Sequence, residues 1–183
     1  SASQVEIQSG IQFYDGITTA EIQEILIRSA SDLIDLDHPN YQFVAARLLL
    51  FALRKQLFGR MRECPTVIDH VKKCVEKGVY DAEILDLYSE EEYNKLQSFI
   101  DHSRDMIFTY AGLRQVVDKY LVQDRSTGEV YETPQFMYMM ISATIFSKYP
   151  KETRLDYVRK YYEAISRHRI NIPTPIMAGV RTP

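Results

Sequence analysis

Along most of the chain apolar residues recur every three or four positions, and short polar breaks separate these stretches, which is the pattern of a mainly helical protein. In the first clear stretch Ile22, Ile25, Leu26 and Leu33 share one face. It is preceded by Thr18-Thr19-Ala20-Glu21, a capping box in which a threonine hydroxyl and the glutamate satisfy amides left free at a helix start. A helix is predicted over residues 19–34. Asp37-His38-Pro39-Asn40 breaks it, and a second helix follows over residues 41–58. Val44, Leu48, Phe51 and Leu57 line one side of that helix, Arg47 and Arg54 share a stripe, and most of its circumference is apolar. Such a helix belongs in the centre of a fold.

Gly59 stops the second helix and Pro65 restarts the chain, so a change of subdomain is expected between them. Residues 66–76 read as a helix ending at Gly78, and Asp81 as the cap of a short one. Ser89-Glu90-Glu91-Glu92 is a second capping box, for a helix to about residue 100, and residues 110–119 form another. The period then changes. Tyr120 to Gln123 and Glu129 to Glu132 flank a loop that ends in Gly128, the signature of a small β-hairpin. Thr133 followed by Pro134 is an N-cap with proline at the first helical position, for a helix to about residue 147. Past Pro150 a last helix spans about residues 152–167, with Leu155, Val158, Tyr162 and Ile165 on one face. The tail, residues 170–183, is expected to be extended, with Pro173 and Pro175 flanking Thr174. The fold class expected is mainly α with one small β-hairpin.

With 183 residues, 45% hydrophobic and 26% charged, the chain has the make-up of a soluble globular protein of one domain or two small ones. A net charge of −3 argues against nucleic acid as a partner, since binding it needs a basic face that displaces counterions. The longest strongly apolar run, residues 48–53, is too short to cross a bilayer, and the first residues carry no basic patch leading into an apolar run. No membrane association is expected. Cys64 and Cys74 suit a reducing cytoplasm and supply neither a disulfide framework nor a zinc-ligand spacing, so no metal is expected. None of the seven glycines forms GxGxxG or GxxxxGK[ST], which excludes a complete Rossmann or P-loop site in this stretch. The chain starts without methionine and stops on Arg181-Thr182-Pro183, as a cut piece would.

Candidate chemistry is sparse. His38, His70, His102 and His168 are scattered, with no HExxH and no catalytic spacing to a cysteine, and are read as surface or capping residues. His102 lies in the charged run Asp101-His102-Ser103-Arg104-Asp105, which reads as a buried salt-bridge knot. Glu90-Glu91-Glu92 compensates a helix dipole, and the run from Phe136 to Met140 is core. Lys55 beside Arg54 is either a helix-end pair that offsets the dipole, the favoured reading, or a phosphate contact. Thr174 differs from these. The prolines on either side stiffen its backbone and hold its hydroxyl in one direction, as a phosphate contact requires.

Five strings, in order and spanning essentially the whole chain, resemble the large catalytic subunit of aerobic class I ribonucleoside-diphosphate reductase. They are Ile11-Gln12-Phe13-Tyr14-Asp15-Gly16; the run from Tyr41 to Lys55; Tyr120-Leu121-Val122-Gln123 with Thr127 to Glu132; the run from Tyr149 to Leu155; and the run from Pro173 to Pro183. The resemblance implies an N-terminal fragment in three parts. Residues 1–59 would be the C-terminal part of an ATP-cone, the allosteric activity domain, without its opening basic strands. Residues 60–169 would be the helical bundle domain, and residues 170–183 the lead-in to a catalytic barrel.

The resemblance also implies that Thr19 and Lys55 contact the effector nucleotide, ATP or dATP, and that Thr174 contacts the substrate diphosphate. No catalytic residue is expected in this stretch, because the family's thiyl-radical and redox cysteines match neither Cys64 nor Cys74 and would lie beyond Pro183. The partners implied are the remainder of the large subunit, the radical-generating small subunit and further large subunits. The parent activity would be reduction of ribonucleoside diphosphates to deoxyribonucleoside diphosphates by thiyl-radical chemistry. The alternative is a free-standing, non-catalytic nucleotide-sensing or helical interaction module. The stiff Pro-Thr-Pro tail argues for the enzyme.

Overall fold

The computed structural model describes residues 2–59 and 63–183. The subdomain change expected between Gly59 and Pro65 falls largely on residues 60–62, outside the described residues. The order of elements is α1 (Ala2–Gly10), α2 (Thr19–Asp32), α3 (Tyr41–Phe58), α4 (Val67–Glu76), α5 (Ile84–Leu87), α6 (Glu90–Phe99), a 3-10 helix (His102–Ile107), α7 (Tyr110–Lys119), β1 (Gln123–Asp124), β2 (Glu129–Val130), α8 (Pro134–Ile145), α9 (Lys151–Ser166) and α10 (Thr174–Gly179). The mainly α class with one small antiparallel hairpin is observed, with Gln123 opposite Val130 and Asp124 opposite Glu129.

Local chemistry sets most of these boundaries. Thr18 and Ser89 form complete capping boxes with Glu21 and Glu92. The Thr66, Thr109 and Thr133 hydroxyls accept from backbone amides at the starts of α4, α7 and α8. Each satisfies a donor that a helix start would otherwise leave free. Gly59 ends α3 with φ of 72°, a left-handed turn that costs glycine little and other residues much.

Helix α8 is the centre of the molecule. Ten consecutive residues, from Pro134 to Ala143, are buried, so this helix is covered all round, as the apolar run from Phe136 to Ile141 requires. Helix α9 packs on one side of it, and α3 reaches it through the 3-10 helix. One continuous apolar core runs from Ile27 and the second half of α3 through α4, α6, α7 and α8 to Ile165. A smaller cluster joins Val5, Ala30, Tyr41 and Ala45 where α1, α2 and the start of α3 meet.

Three expectations are corrected. The tail is not extended throughout: residues 174–179 form α10, with Pro175 in its first turn, where the missing amide hydrogen costs nothing. Helix α3 is central but buries Tyr41, Ala45, Ala46, Leu49, Leu50, Leu53 and Arg54, whereas Val44 and Phe51 are 38% and 41% exposed. A helix apolar nearly all round does not declare which face its neighbours cover. Asp81 does not cap α5: its Oδ1 accepts from the Glu83 amide at 2.9 Å and closes a turn just before that helix. Two elements were not anticipated, α1, whose buried residues are only Val5 and Ser9, and the 3-10 helix over the charged run.

Candidate functional site

The first candidate region is one end of the α2–α3 pair. Glu24 and Gln56, and Ile27 with Leu49 and Leu53, line a common cavity of about 360 Å³, so the two helices run antiparallel. The start of α2 and the end of α3, and with them Thr19 and Lys55, therefore lie at the same end. Thr18 is fully engaged in the cap: its hydroxyl donates to Glu21 Oε2 at 2.7 Å and accepts from the Glu21 amide. Its own amide donates to the same carboxylate oxygen at 2.8 Å. The Tyr14 hydroxyl donates to Glu21 Oε1. These hydrogen bonds, the Thr18 hydroxyl first among them, hold the Glu21 carboxyl below its usual pKa. Thr19, one residue on, is exposed, as is Lys55 on the last turn of α3. With Thr18 committed to the cap, Thr19 is the threonine of the pair whose hydroxyl takes no part in it. A cation and a hydroxyl at one end suit an anionic group. Neither residue lines the cavity.

Arg54 and Lys55 diverge completely. Arg54 turns inward, where Nη2 donates to the His102 carbonyl at 2.6 Å and to Asp105 Oδ2 at 3.3 Å. Gln135 Nε2 donates to the other Asp105 oxygen at 2.9 Å, and the Tyr162 hydroxyl donates to Gln135 Oε1 at 2.6 Å. This is the buried knot expected around His102, and it ties α3 to the 3-10 helix, α8 and α9. Burial raises the Asp105 carboxyl to about 6 despite its partners. Arg104 completes the surface side of the knot with Glu163 at 2.8 Å. Arg47, seven residues before Arg54 and on the same stripe, stays exposed.

The second region is the tail. Thr174 opens α10 and is exposed. Its hydroxyl lies 3.2 Å from the hydroxyl of Tyr120. Seven residues later Arg181 is wholly buried, paired with the equally buried Glu132 through Nε, at 3.1 and 3.0 Å to its two oxygens, and through Nη2. The Arg181 guanidinium also donates to the carbonyls of Met177 at 2.7 Å and Tyr120 at 3.0 Å. Glu132 further accepts from the Val122 amide at 2.9 Å and from the Tyr80 hydroxyl. Tyr80 in turn meets His70 Nε2 at 2.9 Å.

His70 corrects the view of the histidines as surface or capping groups. It is 1% exposed and stacks on Phe136 with 3.9 Å between ring centroids. Cys74, one turn later, places its sulfur 3.7 Å from His70 Nε2. The i, i+4 spacing on α4 was the signal available for this pair. Burial lowers His70 to about 3, and the nearby Arg181 charge adds to the effect. Burial, with the Glu132 charge, raises the Cys74 thiol to about 12, and burial also raises Cys64. His38, by contrast, is exposed and hydrogen-bonds Asp35. Among the described residues no cluster of His, Cys, Asp and Glu could hold a metal ion, and no helix is long and apolar enough to cross a membrane.

Residues 1–56 match the ATP cone domain family, and residues 106–183 match the family described as ribonucleotide reductase, all-alpha domain. Over all 183 residues the chain is 55% identical to ribonucleoside-diphosphate reductase 1 subunit alpha of Escherichia coli (strain K12). It is 56% identical over the same span to the corresponding subunit alpha of Haemophilus influenzae. The subunit alpha of Enterobacteria phage T4 is 48% identical over 185 aligned residues. The chain spans about a quarter of the length of these relatives, 24% in each case. Colinear matches to both domain families and this identity across every residue lead to one assignment: the chain belongs to the ribonucleotide reductase large-subunit (alpha) family, of which it carries an ATP cone and all-alpha domain sequence.

Proposed function

We propose that this chain is the regulatory and helical region of a reductase that converts ribonucleoside diphosphates to deoxyribonucleoside diphosphates. Residues 1–59 read the effector nucleotide, ATP or dATP, residues 60–169 form the helical domain, and residues 170–183 lead into a catalytic barrel. In this reading Lys55 meets the effector's phosphates, Thr19 hydrogen-bonds the nucleotide, and Thr174 meets the substrate diphosphate. The observation that carries the reading is the identity over all 183 residues to proteins named ribonucleoside-diphosphate reductase subunit alpha. It is supported by the exposed positions of Thr19, Lys55 and Thr174.

Ribonucleotide reduction uses a thiyl radical to take the ribose 3′ hydrogen and a cysteine pair to supply two electrons. Cys64 and Cys74 are structural thiols in this reading, and the reacting cysteines belong to the barrel. The burial that holds Cys74 at about 12 leaves essentially no thiolate at neutral pH. The functional partners are accordingly the rest of the large subunit, further large subunits and the radical-generating small subunit.

Calorimetric titration of the 183-residue chain tests the effector role. ATP and dATP are expected to bind weakly, with a dissociation constant of about 0.1 mM or above, and Lys55→Ala and Thr19→Ala each abolish the heat. Tight binding contradicts the expected weakness, and binding that survives Lys55→Ala contradicts the assignment. Mixed with the small subunit and a ribonucleoside diphosphate, the chain alone is expected to form no deoxynucleotide.

A further inference from the structure

Helix α10 has six residues and none of them is buried. A helix that short does not stand on its own hydrogen bonds, and Ile176, Met177 and Val180 give it only partial apolar cover. What holds it is polar. Arg181, just past its end, is one of the largest fully buried side chains in the molecule, and its donors converge on three separate places. One is the Met177 carbonyl within α10, one is the Tyr120 carbonyl at the end of α7, and one is the Glu132 carboxylate before α8. The Arg181 carbonyl accepts from the Asp81 amide at 3.1 Å, so the backbone is fastened as well.

A buried ion pair is a poor way to add stability, since apolar residues of the same volume commonly do as well or better. Its planar fork of donors does set direction, which apolar packing does not. The residue whose carbonyl Arg181 holds, Tyr120, is the same residue whose hydroxyl stands 3.2 Å from the Thr174 hydroxyl. One end of α10 is thereby clamped through Arg181, and the other is aligned through Tyr120.

We infer that Arg181, Glu132 and Tyr120 are positioning residues for Thr174, setting the place and direction of its hydroxyl for the substrate diphosphate. The inference rests on the proposed role of Thr174. Glu132 holds the guanidinium, the guanidinium holds the Tyr120 and Met177 carbonyls, and the Tyr120 phenol orients the threonine hydroxyl. None of the three needs to touch the substrate. Misplacement of a binding group by about an ångström is enough to cost one to two orders of magnitude.

The test uses the full-length large subunit with its small subunit and CDP as substrate. Thr174→Ala, Arg181→Lys, Tyr120→Phe and the double variants of Thr174→Ala with each are compared by steady-state kinetics. Arg181→Lys keeps the charge but loses the fork, and is expected to raise KM about tenfold with kcat within about twofold, the signature of lost binding rather than lost chemistry. Tyr120→Phe removes one exposed hydroxyl and is expected to raise KM about threefold. On a Thr174→Ala background both effects vanish, because groups that act through one another are not additive.

An unchanged KM in a folded Arg181→Lys enzyme overturns the inference, as does an effect that multiplies in full with that of Thr174→Ala. Should Arg181→Lys fail to fold, Tyr120→Phe decides alone: an unchanged KM, or one that multiplies with Thr174→Ala, refutes the positioning role. A Thr174→Ala enzyme with unchanged KM shows instead that the diphosphate role of Thr174 is wrong, and the positioning role falls with it.

Discussion

His70 and His102 spend their protonation equilibrium on the fold. Burial lowers His70 to about 3 and His102 to about 4, and both His102 ring nitrogens are buried without a partner among the described residues. An unfolded histidine takes up its proton near 6.5. The stability these two contribute is therefore complete above that pH and is lost as pH falls towards 3, at about 1.4 kcal/mol per pH unit for each proton. Asp105 works the other way. Its folded value near 6 exceeds the unfolded value of about 3.9, so the folded state holds the extra proton between those limits. Between pH 6 and 4 these three groups together contribute a net slope of about one proton to the loss of stability, two histidines less one carboxyl. Asp105→Asn should steepen that fall by about one proton. Urea unfolding at pH 6, 5 and 4 reads both slopes, and equal slopes would refute the assignment of Asp105.

At the scale of elements, neighbouring threonines are placed differently. Thr18 caps α2 through Glu21, and Thr18→Ala should cost about 1 kcal/mol of stability in a urea melt. Thr19 is exposed at the first helical position, so Thr19→Ala should shift the melt by less than about 0.5 kcal/mol and, on the proposed effector role, remove nucleotide binding. A melt that moves equally for both would place Thr19 in the cap. Caps, glycine stops and the proline at the start of α8 were legible in the sequence because each depends on chemistry within four residues. Helix α1 was not legible, since only Val5 among its apolar residues is buried. Helix α10 was hidden for the opposite reason: two prolines read as extended, yet Pro175 falls in the one turn that tolerates it.

At the scale of the molecule, Arg54 and Asp105 join α3 to the elements that follow. Arg54→Met alone leaves the Asp105 carboxyl buried without its cation and should cost about 3 kcal/mol or more. The pair Arg54→Met with Asp105→Leu should recover most of that loss, because an apolar pair of similar volume has no charge to desolvate. Thermal unfolding of the two singles and the double decides it. A double variant as unstable as the sum of the singles would show no coupling between the two residues and refute the pairing as the source of the loss.

The sequence by itself determined the helices whose ends carry their own caps, the hairpin, the core role of residues 136–140 and the family. These depend on local hydrogen bonding, on periodicity and on order along the chain. Only the tertiary structure decided which of two adjacent basic residues is a buried strut and which is exposed. Arg54 and Lys55 differ by one 100° step around α3, and the 3-10 helix covers one and not the other. The same holds for Arg181, Glu132 and Tyr120, which lie up to 61 residues apart. No spacing in the sequence announces a contact that exists only once α7, α8 and the tail have packed, and that packing is what buries the arginine beyond one end of α10 and leaves the threonine at its other end exposed beside Tyr120.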